Sequence, residues 1–140
     1  MLKLVQLSDC HVTASKDITY RGQDPRASLQ SIVERITAWA PDLVLATGDL
    51  SEDASDSSYA FLREQFERIK ATVWITAGNH DDAQSLARTF SRTALDAPVR
   101  VHDGDWQVIM LNSARDGEIP GRLDVEQLDA LRTLMADDPR

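Results

Sequence analysis

Residues 43–49, Leu43-Val44-Leu45-Ala46-Thr47-Gly48-Asp49, run four apolar side chains without alternation into a glycine and a carboxylate. A strand that is apolar on both faces belongs inside a parallel sheet covered by helices, so helical patterns are expected on either side. Upstream, Asp24-Pro25 reads as an N-cap followed by proline at the first helical position, and Leu29, Ile32, Val33, Ile36, Trp39 and Ala40 follow at helical spacing until Pro41 stops them. Downstream, Tyr59, Leu62, Phe66 and Ile69 mark a second helix. Leu2 to Leu7 supplies a strand before this pair of helices and Val73-Trp74-Ile75 one after it. Strands alternating with helices are the pattern of β-α units feeding a parallel sheet.

Further along, a shorter helix carries Leu86 and Phe90, and Val99 to Leu111 reads as a hairpin about Asp103-Gly104. Asp124 and Gln127 form a capping-box-like pair ahead of a last helix with Val125, Leu128, Leu131, Leu134 and Met135. Trp39, Trp74, Tyr59 and Phe66 fall at core spacing. The expectation is an α/β fold, one domain over residues 1–140, without internal repeats or linkers.

Charge and cysteine content narrow the function. The 140 residues hold 15 Lys and Arg against 23 Asp and Glu, a formal charge of −8. That balance repels a phosphate backbone and leaves no basic stripe for a nucleic-acid polymer to follow. Cys10 is the one cysteine, so neither an internal disulfide nor a cysteine-rich zinc site can form. The sequence has no apolar run long enough for a membrane span and no signal-peptide pattern in MLKLVQLSD. A cytoplasmic protein without membrane or nucleic-acid partners is expected.

Each of the first three strands ends in a polar cluster: LSDCH, TGDL and AGNHDD. In open α/β sheets ligands sit beyond the carboxyl ends of the strands, so these clusters are expected to converge. Asp9 and His11, two residues apart on an extended segment, can point to one side with Cys10 facing away as a small buried filler. Gly48 and Gly78 precede Asp49 and Asn79, where a missing side chain lets the backbone turn and aim a ligand inward. Carboxylate, imidazole and amide oxygen without thiolate suit Mn, Fe, Zn or Mg. Plainer readings exist for each residue: Asp49 as a helix cap, residues 79–82 as a polar turn and cap, His102 as a solvated turn residue.

Asp9-Cys10-His11, Gly48-Asp49 and Gly78-Asn79-His80-Asp81 occur in the order of the D-x-H, G-D and G-N-H-D motifs, and the chain resembles the calcineurin-like metallophosphoesterases along its whole length. PDLVLATGDL followed by Tyr59, and GRLDVEQLDAL near the end, are similar to the bacterial class III cyclic-nucleotide phosphodiesterase branch in particular. The resemblance implies two packed mixed β-sheets flanked by helices and a site of two divalent metals, Mn, Fe or Zn. Asp9 and His11 would then bind the first metal, Asp49 would bridge both and Asn79 would bind the second, with a hydroxide between the ions as nucleophile. His80 would contact the phosphate and give a proton to the leaving oxygen, so that His11, Asp49, Asn79 and His80 border the substrate. Asp81 would either orient His80 or be structural.

That family completes its site with later histidines, including a G-H-x-H motif, whereas this chain holds only His11, His80 and His102. The chain therefore reads as the N-terminal half of such an enzyme, with self-association or a missing C-terminal half expected to cover its open side. Two functions follow. One is hydrolysis of a 3',5'-cyclic nucleotide, cAMP-like, or a similar small phosphodiester; the other is a non-catalytic binding or scaffold module of the same fold.

Overall fold

A computed structural model describes residues 1–103 and 106–137. Strands β1 (Leu4–Leu7), β2 (Leu43–Thr47) and β3 (Thr72–Thr76) form a parallel sheet in the order β1-β2-β3. Helix α1 (Pro25–Trp39) crosses from β1 to β2, and α2 (Asp56–Glu67) from β2 to β3. The register pairs Leu7 with Ala46 and Ala46 with Ile75, so the three strands finish at one level and their following loops emerge side by side. A seven-residue helix, α3 (Ala83–Thr89), precedes the antiparallel hairpin of β4 (Val99–Asp103) and β5 (Trp106–Met110), and α4 (Val125–Ala136) closes the described chain. The turn expected at Asp103-Gly104 involves Gly104, which lies outside the described residues.

Alternation along the strands divides the interior in two. Val5, Leu7, Val44, Ala46, Val73 and Ile75 face one way and pack with Leu29, Val33 and Ile36 of α1 and Leu62 and Phe66 of α2. Strands laid down in sequence order with crossovers of one hand put both helices on the same face. On the other face, Leu4, Leu43, Leu45 and Trp74 meet Val99, Val101, Val108 and Met110 of the hairpin. The result is two layers of sheet, one parallel and one antiparallel, with α1 and α2 outside the parallel one.

The helix starts follow their caps. Asp24 Oδ1 accepts from the backbone N–H of Arg26 and Ala27, at 2.9 and 3.1 Å, ahead of Pro25; Ala40, at φ 51, ends α1 before Pro41. Ser55, not Asp49, caps α2 through Ser58 N–H. Asp82 caps α3 through Ser85 N–H at 2.7 Å. Asp124 caps α4 through Gln127 N–H at 2.9 Å, but among the described residues Gln127 makes no reciprocal bond to the Asp124 backbone. Gln127 is buried and instead exchanges two hydrogen bonds with the Asn112 backbone, at 3.0 and 2.7 Å.

Helical spacing overestimated the buried stripe of α1. Ile32 and Trp39 are about half exposed, because Leu29, Val33 and Ile36 already fill the contact with the sheet. The Lys3 ammonium lies over Trp39, 5.3 Å from its ring centroid. Val125 and Met135 on α4 are likewise exposed. Tyr59 and Phe66 are buried as expected, and Trp74 is half-buried.

Candidate metal centre

The loops after β1 and β2 run alongside each other as a continuation of the sheet. Asp9 N–H donates to Gly48 O, His11 N–H to Asp49 O and Val12 N–H to Leu50 O, at 2.9 to 3.1 Å. Asp9 and His11 reach one side of this ribbon, though not by the extended alternation expected from their spacing. Both are left-handed, at φ 56 and 44, as is Asp49 at φ 50. Non-glycine residues rarely take that conformation, and it persists where the surroundings over-determine it. Cys10 turns into the interior between them, and burial pushes its thiol up to about 12, so it is an inert filler rather than a nucleophile.

The glycines serve close approach more than turning. A Cβ on Gly48, which has φ +87, would lie 2.8 Å from the Gly78 backbone, and a Cβ on Gly78 would fall on Asp49 Oδ1 and on the Asp49 backbone nitrogen. Only two glycines let the β2 and β3 loops touch here.

Three ligating atoms gather where these loops meet. His11 Nε2 lies 4.0 Å from Asp9 Oδ1 and 4.0 Å from Asp49 Oδ2, and the group lies within 4.8 Å of one another. Asp49 holds the third loop as well, since its Oδ1 accepts from His80 N–H at 3.2 Å. Asn79 is exposed on that loop and borders, with Asp9, Gly48 and Asp49, a cavity of about 370 Å³. One imidazole and two carboxylates beside an amide form a hard nitrogen and oxygen set that fits a divalent cation.

Glu52 was not found by reading the sequence, and it organises both histidines. Its Oε2 accepts from His11 Nδ1 at 2.8 Å and lies 3.2 Å from His80 Nδ1. A carboxylate only accepts, so His11 carries its proton on Nδ1 and presents Nε2 to the two aspartates. The two imidazoles meet edge to face at 5.0 Å, and Tyr20 stacks on His11 at 4.1 Å. The sole signal for Glu52 is its place three residues past Asp49, on the strand-like ribbon that returns to Val12.

Asp81 does not touch the His80 ring among the contacts described. Its carboxylate accepts from the N–H groups of Leu50, Ser51 and Gly78, at 3.0 to 3.1 Å, and from Tyr59 Oη at 3.3 Å. It is the tie between the β2 and β3 loops. Burial holds its pKa above the ordinary carboxylate range, against the pull of those three N–H donors. Tyr59, buried under it, is pushed up by burial and by the Asp81 charge, and its hydroxyl accepts from Asp82 N–H at 2.8 Å. Among the described residues two groups could hold a metal ion, Asp9 with His11 and Asp49, and His11 with Glu52 and His80; His102, exposed on β4, joins neither.

The calcineurin-like phosphoesterase family model matches residues 2–137. The chain is 40% identical over 131 residues to the 3',5'-cyclic adenosine monophosphate phosphodiesterase CpdA of Pseudomonas aeruginosa, covering 92% of this chain and 48% of that one. It is 31% identical to the Escherichia coli K12 protein of the same name, covering 99% and 51%. With a 3',5'-cyclic-nucleotide phosphodiesterase of Nostoc the identity is 30%, covering 93% and 50%. The chain thus spans about half the length of the curated relatives it matches. A crystal structure of an Aquifex aeolicus protein of unknown function superposes with a TM-score of 0.50 at 13% identity, over 99% of this chain and 75% of that one, which shows likeness of fold alone. Among the described residues no helix is long and apolar enough to cross a membrane.

Proposed function

The chain belongs to the calcineurin-like phosphoesterase family, and from that membership we propose that it carries the first metal position and the general acid of a phosphodiesterase acting on a 3',5'-cyclic nucleotide. The observation that supports this most is the gathering of Asp9, His11 and Asp49 from two loops around His11 Nε2. In this reading Asp9 and His11 would hold one divalent ion, Asp49 would serve both ions and Asn79 would serve a second; Mn, Fe and Zn all accept this set. Bound there, the ions supply Lewis acidity and bring the pKa of water near neutral.

The chain's own residues do the rest. Glu52 holds the Nδ1 side of His80, which leaves Nε2 as the ring nitrogen that would give a proton to the departing oxygen. The Asp49 contact with His80 N–H ties that donor to the metal ligands. His11, Asp49, Asn79 and His80 together border the phosphate. The cytoplasm, a reducing compartment, suits the lone thiol at Cys10.

Asp49 and Asn79 alone would hold the second ion weakly, and this favours, as a second reading, a non-catalytic module of the same fold. Exposed Trp106, Ile119, Val125 and Met135 mark where a polypeptide equivalent to the relatives' other half, or a second copy, would pack.

The test is hydrolysis of cyclic AMP and of a chromogenic phosphodiester by the 140-residue chain in Mn²⁺. Slow turnover is expected, stopped by chelator and by Asp49→Ala. His80→Ala should lower it by roughly 10²–10⁴ with Mn²⁺ still bound. Metal binding without turnover would select the module reading, and turnover undiminished by Asp49→Ala would sink the metal-centre reading.

A further inference from the structure

Tyr20 has no part in the motifs and joins neither hydrophobic cluster. Its ring lies on the imidazole of His11 at 4.1 Å between centroids with the planes only 14° apart. A half-buried tyrosine stacked on a polar ring instead of the adjacent apolar core calls for a reason.

The chain builds a device to put it there. Tyr20 and Gln23 exchange backbone hydrogen bonds, both 2.9 Å, around Arg21 at φ +49 and Gly22 at φ +77. Two central residues of positive φ make a type I′ turn, and Arg21 stands where glycine or asparagine is usual. Its guanidinium carbon lies 5.1 Å from the Tyr20 ring centroid, within cation–π range. The base of the loop is fastened by Arg26, which donates to Thr13 O at 2.9 Å and Ala14 O at 2.8 Å. Thr13 Oγ1 in turn donates to Ile18 O at 3.0 Å.

We propose that Tyr20 is the positioning residue for His11, fixing the plane of the imidazole while Glu52 fixes its tautomer. This rests on the reading of His11 as a metal ligand. Glu52 holds one ring nitrogen only, and the imidazole can still tilt through its side-chain torsions, which moves Nε2 relative to Asp9 and Asp49. The stacked ring removes that freedom, so the three ligating atoms are gathered before an ion arrives. The phenol hydroxyl has no hydrogen bond among the described residues, so the ring alone does the work and phenylalanine should replace it.

Two measurements on the full chain judge this separately. Long-range ¹H–¹⁵N NMR of the metal-free protein resolves its three histidines. The His11 ring protons should carry an upfield ring-current shift that is kept in Tyr20→Phe and lost in Tyr20→Leu, with His102 unmoved as the internal control for folding. Calorimetric titration with Mn²⁺ should then show Tyr20→Phe within about twofold of the parent and Tyr20→Leu weaker by about tenfold, the lower end for loss of an outer-shell partner. Unchanged His11 shifts and Mn²⁺ affinity in Tyr20→Leu would overturn the proposal, as would equal weakening in Phe and Leu. If His11→Ala binds Mn²⁺ like the parent, the metal-ligand reading fails and the role of Tyr20 falls with it. If His11→Ala abolishes binding and Tyr20→Leu leaves the Mn²⁺ affinity unchanged, only the role of Tyr20 falls.

Discussion

The loops at the carboxyl ends of β1, β2 and β3 and the segment from β4 to α4 are built by opposite rules. In the loops, Asp9, His11 and Asp49 are held left-handed, two glycines touch, and Asp81 collects three backbone donors and a phenol. Each residue there is constrained by named partners. In the later segment the hairpin buries one face, and α4 buries only Gln127 completely while Val125 and Met135 stay exposed. Polar atoms must be satisfied one by one, so a site over-specifies its backbone; apolar packing is non-directional and leaves a surface open to whatever covers it.

The largest effect is expected from the contact of the two loops. Gly78→Ala would drive a methyl group into Asp49 Oδ1 and the Asp49 nitrogen, the latter backbone that cannot rotate away. Urea unfolding should show a loss of about 3 kcal/mol or more. A loss under about 1 kcal/mol would mean the loops are looser than their geometry indicates.

Asp81→Asn comes next, at about 1–3 kcal/mol, because the amide cannot accept from three backbone N–H groups arranged for two carboxylate oxygens. Its pH dependence has a definite sign. The folded carboxyl has a raised pKa, so folding favours its protonated form. The group's contribution is complete below the unfolded value of about 3.9 and is lost as pH rises through the raised folded value. The stability of the parent relative to Asp81→Asn should therefore fall as pH climbs through that window. A rise of the parent relative to the variant would reverse the assignment.

The smallest effect is expected on α4. Val125→Ser should stay within about 0.5 kcal/mol, as surface substitutions do. A larger cost would sharpen the comparison in the other direction, by showing that this face is covered in solution.

How far each region could be read beforehand follows the same division. Leu43 to Ala46, apolar on both faces, implied a covered parallel strand, and the motifs were legible because each is a short run just past a strand. Glu52 was not, since its partner His11 is 41 residues away and no local pattern marks the pair. Tyr20 escaped for the same reason, presented by a turn whose Arg21 disguises a positive-φ position. The common side of Asp9 and His11 was anticipated, but from extended alternation, whereas left-handed backbone produces it. Trp39 misled because helical periodicity shows a stripe but not how wide a stripe the sheet can accept.

The claim that the loops after β1 and β2 build a metal site is tested most directly by anomalous diffraction from crystals of this chain grown with Mn²⁺. The account predicts a peak bonded at about 2.0–2.2 Å by Asp9, His11 and Asp49. A peak on Glu52 between His11 and His80, or no ordered ion among Asp9, His11 and Asp49, would contradict it.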